Sequence, residues 1–312
     1  MSSDDVLTVR EVSKTFGRVR AVDRLSFSVA RGTITGLLGR NGAGKTTTLR
    51  MINGIFLPDD GTIELFGTTD AAAVRDRIGY LPEERGLYRK MKVIDQLLFL
   101  AEIKGRRPAD VKPRVEVWLK RFDLWDKRAG KLEELSKGNQ QKVQLIGALL
   151  HDPEVVTLDE PMSGLDPVNV VLVRSILKEL KAEGRTILLS THMMGEAEKL
   201  VDDIVLIHEG HAVLAGDLEQ VKGSFGSNTV QLAFEGDGAF LAALPGVASA
   251  RVDTNVAELR LAPDSDAQAV LAAVVGRLRI SHFEIAAPSL EEIFIDRVGA
   301  GVVANRPAEV VT

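Results

Sequence analysis

The segment Gly39-Arg40-Asn41-Gly42-Ala43-Gly44-Lys45-Thr46 constrains this chain more than any other. It satisfies the pattern G-x-x-x-x-G-K-[ST] in full. The spacing has a physical reason. Glycines let the backbone turn sharply and gather several N–H groups around an anion. A helix starting near Gly44 points its positive end at the same place. Lys45 adds a mobile point charge for β- and γ-phosphates, and the Thr46 hydroxyl suits a Mg²⁺ shell otherwise made of water and phosphate. The bland alternative is a glycine-rich turn. The strand-like run Ile34-Thr35-Gly36-Leu37-Leu38 directly before the loop supplies the context the motif demands. The chain is therefore read as binding a nucleoside triphosphate, with the base and the purpose still open.

The surrounding pattern is α/β. Val155-Val156-Thr157-Leu158 and Thr186-Ile187-Leu188-Leu189-Ser190 are short and apolar without alternation, as buried parallel strands are. Leu7 to Val12 and Val22 to Val29 alternate and carry charge, which predicts an antiparallel sheet with one wet face. Between them and the later strands, Ile94, Leu97, Leu98, Ala101, Val111, Val115, Trp118, Leu119 and Phe122 recur at helical spacing. A mostly helical subdomain is expected over about 92–150. Residues 1–223 form the first domain on this reading, 224–228 a linker, 229–298 an accessory domain and 299–312 a mobile tail. The accessory domain reads as strand (Val230 to Phe234), helix (Ala239 to Leu244), strand (Ser249 to Val252), strand (Val256 to Leu261), helix (Ala267 to Leu278) and strand (Ile280 to Ile285). That order suggests a small α+β ferredoxin-like unit. A closing helix from Ser289 to Val298 has Ser289 as N-cap and Glu292 three residues on.

Composition narrows the function classes. The net charge is −5, so no basic domain argues for nucleic acid. Cysteine is absent, which excludes disulfide, thiol and cysteine–metal chemistry. The acidic start, Met1-Ser2-Ser3-Asp4-Asp5, does not read as a signal peptide. No run approaches the roughly 20 apolar residues that span a bilayer; work at a membrane would need a span from another chain.

Further residues gather around the phosphate loop. Val155 to Leu158 lead into Asp159-Glu160-Pro161. A carboxylate ending a buried strand beside such a loop is placed to hold Mg²⁺, the role read for Asp159. Glu160 sits where a base orients an attacking water. Alone, this would be an acidic turn. His192, after Ser190-Thr191, is a candidate donor to a γ-phosphate, although a single histidine is more often an ordinary loop residue. Leu135-Ser136-Lys137-Gly138-Asn139-Gln140 precedes a helix. Ser136 reads plainly as an N-cap, and more sharply, with Gly138, as a second anion site.

In this order the motifs resemble those of ABC transporter ATP-binding subunits: Gly39 to Thr46, Ile78 to Glu84, Leu135 to Gln140, Val155 to Glu160, Ser163-Gly164-Leu165-Asp166 and His192. The likeness covers about the first 220 residues. It implies a P-loop ABC ATPase core with a parallel core sheet, an antiparallel β subdomain and a helical subdomain. It also implies ATP and Mg²⁺ as cofactors, ATP hydrolysis with Glu160, His192 and Lys45 as catalytic residues, and a head-to-tail dimer. Gly39, Arg40, Asn41, Gly42, Ala43, Gly44, Lys45, Thr46 and Thr47 would hold the nucleotide. Phe16 would stack on adenine, although alone it reads as a core or strand residue. Ser136, Lys137 and Gly138 would serve the nucleotide of the other copy, and Asp166 would cross the interface. Thr46, Asp159 and Glu83 would face the metal.

Two departures stand out. Glu83 occupies the place where the family usually has glutamine, which adds negative charge near the γ-phosphate; Arg85, Arg89 and Lys90 are the candidates to offset it. The signature reads Leu-Ser-Lys-Gly-Asn, keeping the serine and the second glycine and adding the cation of Lys137. An active site is expected, and coupling is what these departures could alter. Gly86 to Val93 reads either as a dock for a permease helix or as a surface loop anchored by Leu87 and Met91. The small domain and Pro288-Ser289-Leu290-Glu291-Glu292-Ile293-Phe294 resemble those of bacterial export-type members, the sodium- and drug-efflux branch. This implies a separately encoded integral-membrane permease, a homodimer or a pseudo-symmetric dimer with a related subunit, no nucleic acid, and a place at the cytoplasmic face of the cell membrane, peripheral through the permease. The alternative is a soluble ABC ATPase that remodels a ribosome or another macromolecule. Such chains carry two motif sets or a long coiled-coil insertion, and neither is present here. A regulatory module without turnover is the third reading, and intact Glu160 and His192 speak against it.

Overall fold

The computed structural model describes residues 5–84, 86–225, 229–262, 265–301 and 309–311. The chain forms two compact units, which divide after Asp217. Met1 to Asp4 and Arg85 lie outside the described residues.

The first unit opens with β1 (Asp5–Phe16) and β2 (Val19–Ala30), followed by β3 (Ile34–Leu38), α1 (Lys45–Ile52), β4 (Asp60–Leu65) and β5 (Ile78–Leu81). Then come α2 (Val93–Ile103), α3 (Pro108–Arg121), α4 (Lys137–Leu149), β6 (Val155–Asp159), α5 (Pro167–Ala182), β7 (Thr186–Thr191), α6 (Met194–Ala197), β8 (Asp203–His208) and β9 (His211–Asp217). The alternating strands pair as expected into an antiparallel sheet, in the order β2-β1-β4. Every residue of β3, β6 and β7 is buried, which is why their sequences carry no alternation. They pair in parallel, with Leu38 opposite Thr191 and Asp159 opposite Ser190, and Leu81 of β5 lies opposite Leu158 of β6. This register brings the carboxyl ends of β3, β5, β6 and β7 to one edge. Open α/β sheets bind ligands outside that edge. The helical insertion is α2, α3 and α4, whose apolar positions Leu97, Val115, Leu119 and Val143 are fully buried.

The second unit comprises α7 (Leu218–Ser224), β10 (Thr229–Glu235), β11 (Val247–Val252), β12 (Val256–Leu261), α8 (Ala267–Val274), β13 (Arg279–Ala286) and α9 (Leu290–Gly301). Its sheet is antiparallel, in the order β11-β12-β10-β13, the arrangement of a split β-α-β ferredoxin-like unit. The helix expected over Ala239 to Leu244 is only a single 3₁₀ turn, Leu241–Ala243. Gly238 before it already lies so close to Phe234 that a Cβ would meet that ring at 2.5 Å. The expected linker 224–228 begins inside α7, and 226–228 lie outside the described residues. The expected tail 299–312 begins inside α9, and its Glu309–Val311 form β14 on the edge of β9. An unpaired strand edge is a ready template for such pairing. Residues 302–308 and 312 lie outside the described set.

One buried group of the first unit gives this fold a pH dependence. His151, after α4, is 1 % exposed, and its Nε2 lies 2.9 Å from the carbonyl oxygen of Ile78. That oxygen only accepts, so Nε2 carries the proton. Burial pushes the pKa of the ring down to about 4. The ring is neutral in both folded and unfolded chains above pH about 6.5, and charges first in the unfolded chain as pH falls. Stability is therefore expected to fall by up to about 3 kcal/mol between pH 6.5 and 4. Chemical denaturation of His151→Leu across that window should show a shallower acid limb than wild type.

Candidate functional site

The phosphate loop follows β3 and turns into α1. Two glycines in it are required by close approach. A Cβ on Gly39 would stand 2.3 Å from the Ile207 carbonyl oxygen, and one on Gly44 would stand 2.5 Å from that of Ala21. Gly44 also has φ 108°, outside the range of L side chains. The loop lines a cavity of about 540 Å³ with Gly39 to Ala43, His192, Met194, His208 and Glu209. Lys45 is 5 % exposed and folds back into the loop, donating to the carbonyls of Gly39 (2.8 Å) and Arg40 (3.1 Å). Its ammonium stands 3.6 Å from Glu160 Oε1.

Asp159 ends β6, and Glu160 follows it. Ser190 Oγ donates to Asp159 Oδ1 at 2.5 Å, and Thr46 Oγ1 lies 3.1 Å from the same oxygen. Asp159 Oδ2 is buried and has no hydrogen-bond partner. Burial raises the carboxyl above the usual aspartate range. Glu83 Oε2 reaches to 3.4 Å of the Thr46 hydroxyl. A hydroxyl and two carboxylates, one with an orphaned buried oxygen, form a hard oxygen donor set of the kind Mg²⁺ takes.

Glu160 is held in the left-handed region (φ 49°), a strained backbone that persists only where its surroundings enforce it. Its N–H lies 3.2 Å from both the carbonyl oxygen and the hydroxyl of Ser190. On the side chain, Thr191 Oγ1 donates to Oε2 at 3.2 Å, and His192 Nδ1 stands 2.9 Å from Oε1. A carboxylate only accepts, so Nδ1 of His192 carries a proton. Donation from Nε2 to an incoming anion therefore needs the doubly protonated ring or a ring turned away from Glu160.

The remaining expected residues do not line this cavity. Phe16, 43 % exposed, ends β1, packs edge-on to Phe56 at 5.3 Å and has the Lys14 ammonium 5.7 Å from its ring centroid. Ser136 caps α4, accepting from the Asn139 N–H at 3.3 Å. Lys137 is exposed and Gly138 half-buried. A Cβ on Gly138 would sit 3.3 Å from the Gly164 carbonyl, so the signature turn leans on the Ser163–Asp166 segment. Asp166 caps α5 through Asn169, and that bonding lowers its pKa. Thr47, in the first turn of α1, is half-buried.

Four contributors escaped the sequence. Ser190 and Thr191 brace the two carboxylates, and their position next to His192 was the available signal. His208 and Glu209 reach the cavity from the β8–β9 turn, which nothing short of the strand order would reveal.

Known proteins are similar to this chain. Residues 22–163 match the ABC transporter family, and 216–298 match the ATP-binding protein DrrA1-3-like C-terminal domain. An uncharacterized ABC transporter ATP-binding protein, YhaQ of Bacillus subtilis (strain 168), is 43% identical over 95% of this chain and 99% of its own. Daunorubicin resistance ATP-binding protein DrrA3 of Streptomyces coeruleorubidus is 32% identical over 95% and 97%. A solved ATP-binding subunit of an ABC transporter superposes with a TM-score of 0.66 at 32% identity, covering 71% of this chain and 93% of that one. With its phosphate loop, acidic strand end and signature turn on this fold, and relatives of matching length, the chain belongs to the ABC transporter ATP-binding proteins and carries a DrrA-like C-terminal domain.

Proposed function

We propose that two copies of this chain close head to tail on two Mg·ATP and drive a separately encoded membrane permease, most directly for export. Members of this family bind and hydrolyse ATP, and their ATP-binding subunits pair with membrane permeases. The observation that carries the dimer reading is that none of Ser136, Lys137 and Gly138 lines the cavity of the phosphate loop. A turn that stands outside this cavity is on this reading the one that covers a nucleotide held by another copy. Its exposed Lys137 adds a favourable cation there.

On this reading the loop amides and Lys45 take the β- and γ-phosphates, leaving the carbonyls of Gly39 and Arg40. Phe16 stacks on the base. Thr46, Asp159 and Glu83 would hold Mg²⁺, which when bound supplies Lewis-acid neutralisation of phosphate charge. Glu160 accepts a proton from the attacking water. His192, turned from Glu160, positions the γ-phosphate. Closure is favoured because triphosphate binds the closed pair better than the open one; hydrolysis removes that preference.

Export rests on kinship. A relative of matching length is named for daunorubicin resistance, and the matching C-terminal family is named after its kind. Among the described residues no helix is long and apolar enough to cross a membrane, which supports a peripheral place at the cytoplasmic face through the permease. The remodelling alternative gains nothing from these names. Affinity-tagged chain recovered from detergent-solubilised membranes should bring down a multi-span membrane protein, and from ribosome pellets nothing above background. Recovery with ribosomes alone would reverse the reading.

A further inference from the structure

Two glutamines buried in the helical subdomain stand outside every role assigned above. Gln144 lies on α4, eight residues beyond Ser136, and Gln96 lies on α2. They are 6 % and 0 % exposed. Gln144 Nε2 donates to the backbone carbonyl of Glu84 at 3.2 Å, and Gln96 Oε1 accepts from the backbone N–H of Tyr88 at 2.9 Å. The other half of each amide, Gln144 Oε1 and Gln96 Nε2, is buried without a hydrogen-bond partner. A half-paired buried amide costs free energy that an apolar side chain of similar size would avoid. The plain reading, a glutamine filling a helix contact, leaves that cost without a return. Both amides are aimed at the backbone of one segment, the stretch after β5 that begins with Glu83.

We propose that Gln144 is a positioning residue for Glu83. It fixes the carbonyl of the next residue, Glu84, to the helix that begins at the signature turn, and so sets where the Glu83 carboxylate stands beside Thr46. A second tie to Glu84 exists, since Arg50 of α1 reaches its carboxylate at 3.2 Å. That carboxylate side chain is 84 % exposed, and exposed pairs hold little. The buried amide bond is the stronger constraint. Gln96 holds the far end of the segment at Tyr88, so the stretch is attached to α4 and α2 at both ends. A displacement of α4 then carries Glu83 with it. The position of the signature helix is in this way written into the oxygen donor set beside the phosphate loop.

This inference rests on the reading of Glu83 as a metal-facing group, and the test separates the two. The full-length chain is loaded with a non-hydrolysable ATP analogue and titrated with Mn²⁺, and bound ion is read from loss of the free-ion spin-resonance signal. Gln144→Met keeps the volume and removes the donor. It is expected to weaken Mn²⁺ about 10-fold, the low end for groups acting behind a ligand. Analogue affinity in chelator should stay at the wild-type value. In a Glu83→Ala background Gln144→Met should cause no further loss, because the group it positions is gone. An unchanged Mn²⁺ affinity in Gln144→Met, or an equal loss in both backgrounds, overturns the positioning role. Wild-type Mn²⁺ affinity in Glu83→Ala overturns the metal reading of Glu83 and the inference with it. If Gln144→Met does not fold, Gln144→Leu serves under the same readouts, since it too fills the buried site without a proton to donate.

Discussion

Glu160→Gln is expected to lower ATP turnover by about 10²–10⁴-fold while ATP still binds. The substitution keeps shape and burial and removes the proton acceptor. With the amide oxygen at the Oε1 place the bond from His192 survives, and the Thr191 hydroxyl, which donates to Oε2 in the native chain, can turn to accept from the amide N–H. The strained backbone at Glu160 (φ 49°) is set by Ser190 and is untouched by the change. The effect should therefore fall on kcat rather than on affinity, the pattern of an interaction made in the transition state. Steady-state turnover together with equilibrium nucleotide binding checks it. Turnover within two-fold of wild type would remove Glu160 from the chemistry.

Lys45→Ala should do more damage, and in two places. The ammonium is the one lysine charge inside the phosphate loop, and in the nucleotide-free chain it also stands 3.6 Å from the buried Glu160 carboxylate. Removing one partner of a buried pair costs about 3–5 kcal/mol, because it leaves the other charge uncompensated. His192, 46 % exposed on its side chain, is a poor substitute counter-charge. The nucleotide loses a charge-assisted contact as well, each worth about 1.5–3 kcal/mol, so affinity should fall roughly 10- to 100-fold. Thermal unfolding without nucleotide reads the first loss, and titration with a fluorescent ATP analogue reads the second. Lys45→Arg restores charge without the point geometry, and should recover the stability more than the affinity. Full affinity in Lys45→Ala would show that the loop amides alone carry the phosphates.

Most of the site was legible because its residues are local in sequence. Gly39 to Thr46 are adjacent, and the motif states its own geometry. Asp159 and Glu160 could be read because an unbroken apolar strand ends on them. The buried strands stood out for the same reason, since Ile34 to Leu38 and Val155 to Leu158 have no wet face. What stayed hidden depends on pairing across the sheet. Ser190 reaches Asp159 only because β6 and β7 lie side by side in that register. His208 and Glu209 reach the cavity only because β8 pairs with β3. Gln144 looked like one more polar residue in an apolar helix, because its partner is a backbone carbonyl with no sequence signature. The helix expected over Ala239 to Leu244 is a single 3₁₀ turn, which apolar spacing does not tell from a regular helix.

The dimer admits one direct measurement. The chain has no cysteine, so Arg40→Cys and Lys137→Cys, both at exposed positions, introduce the sole thiols, each in a separate preparation of the Glu160→Gln chain. Mixed with ATP, Mg²⁺ and a short bis-thiol reagent, the two preparations should give a covalent heterodimer, and the yield should collapse when ATP is withheld. A complex that stays at monomer mass with ATP bound, and yields no such product, contradicts a triphosphate shared between two copies.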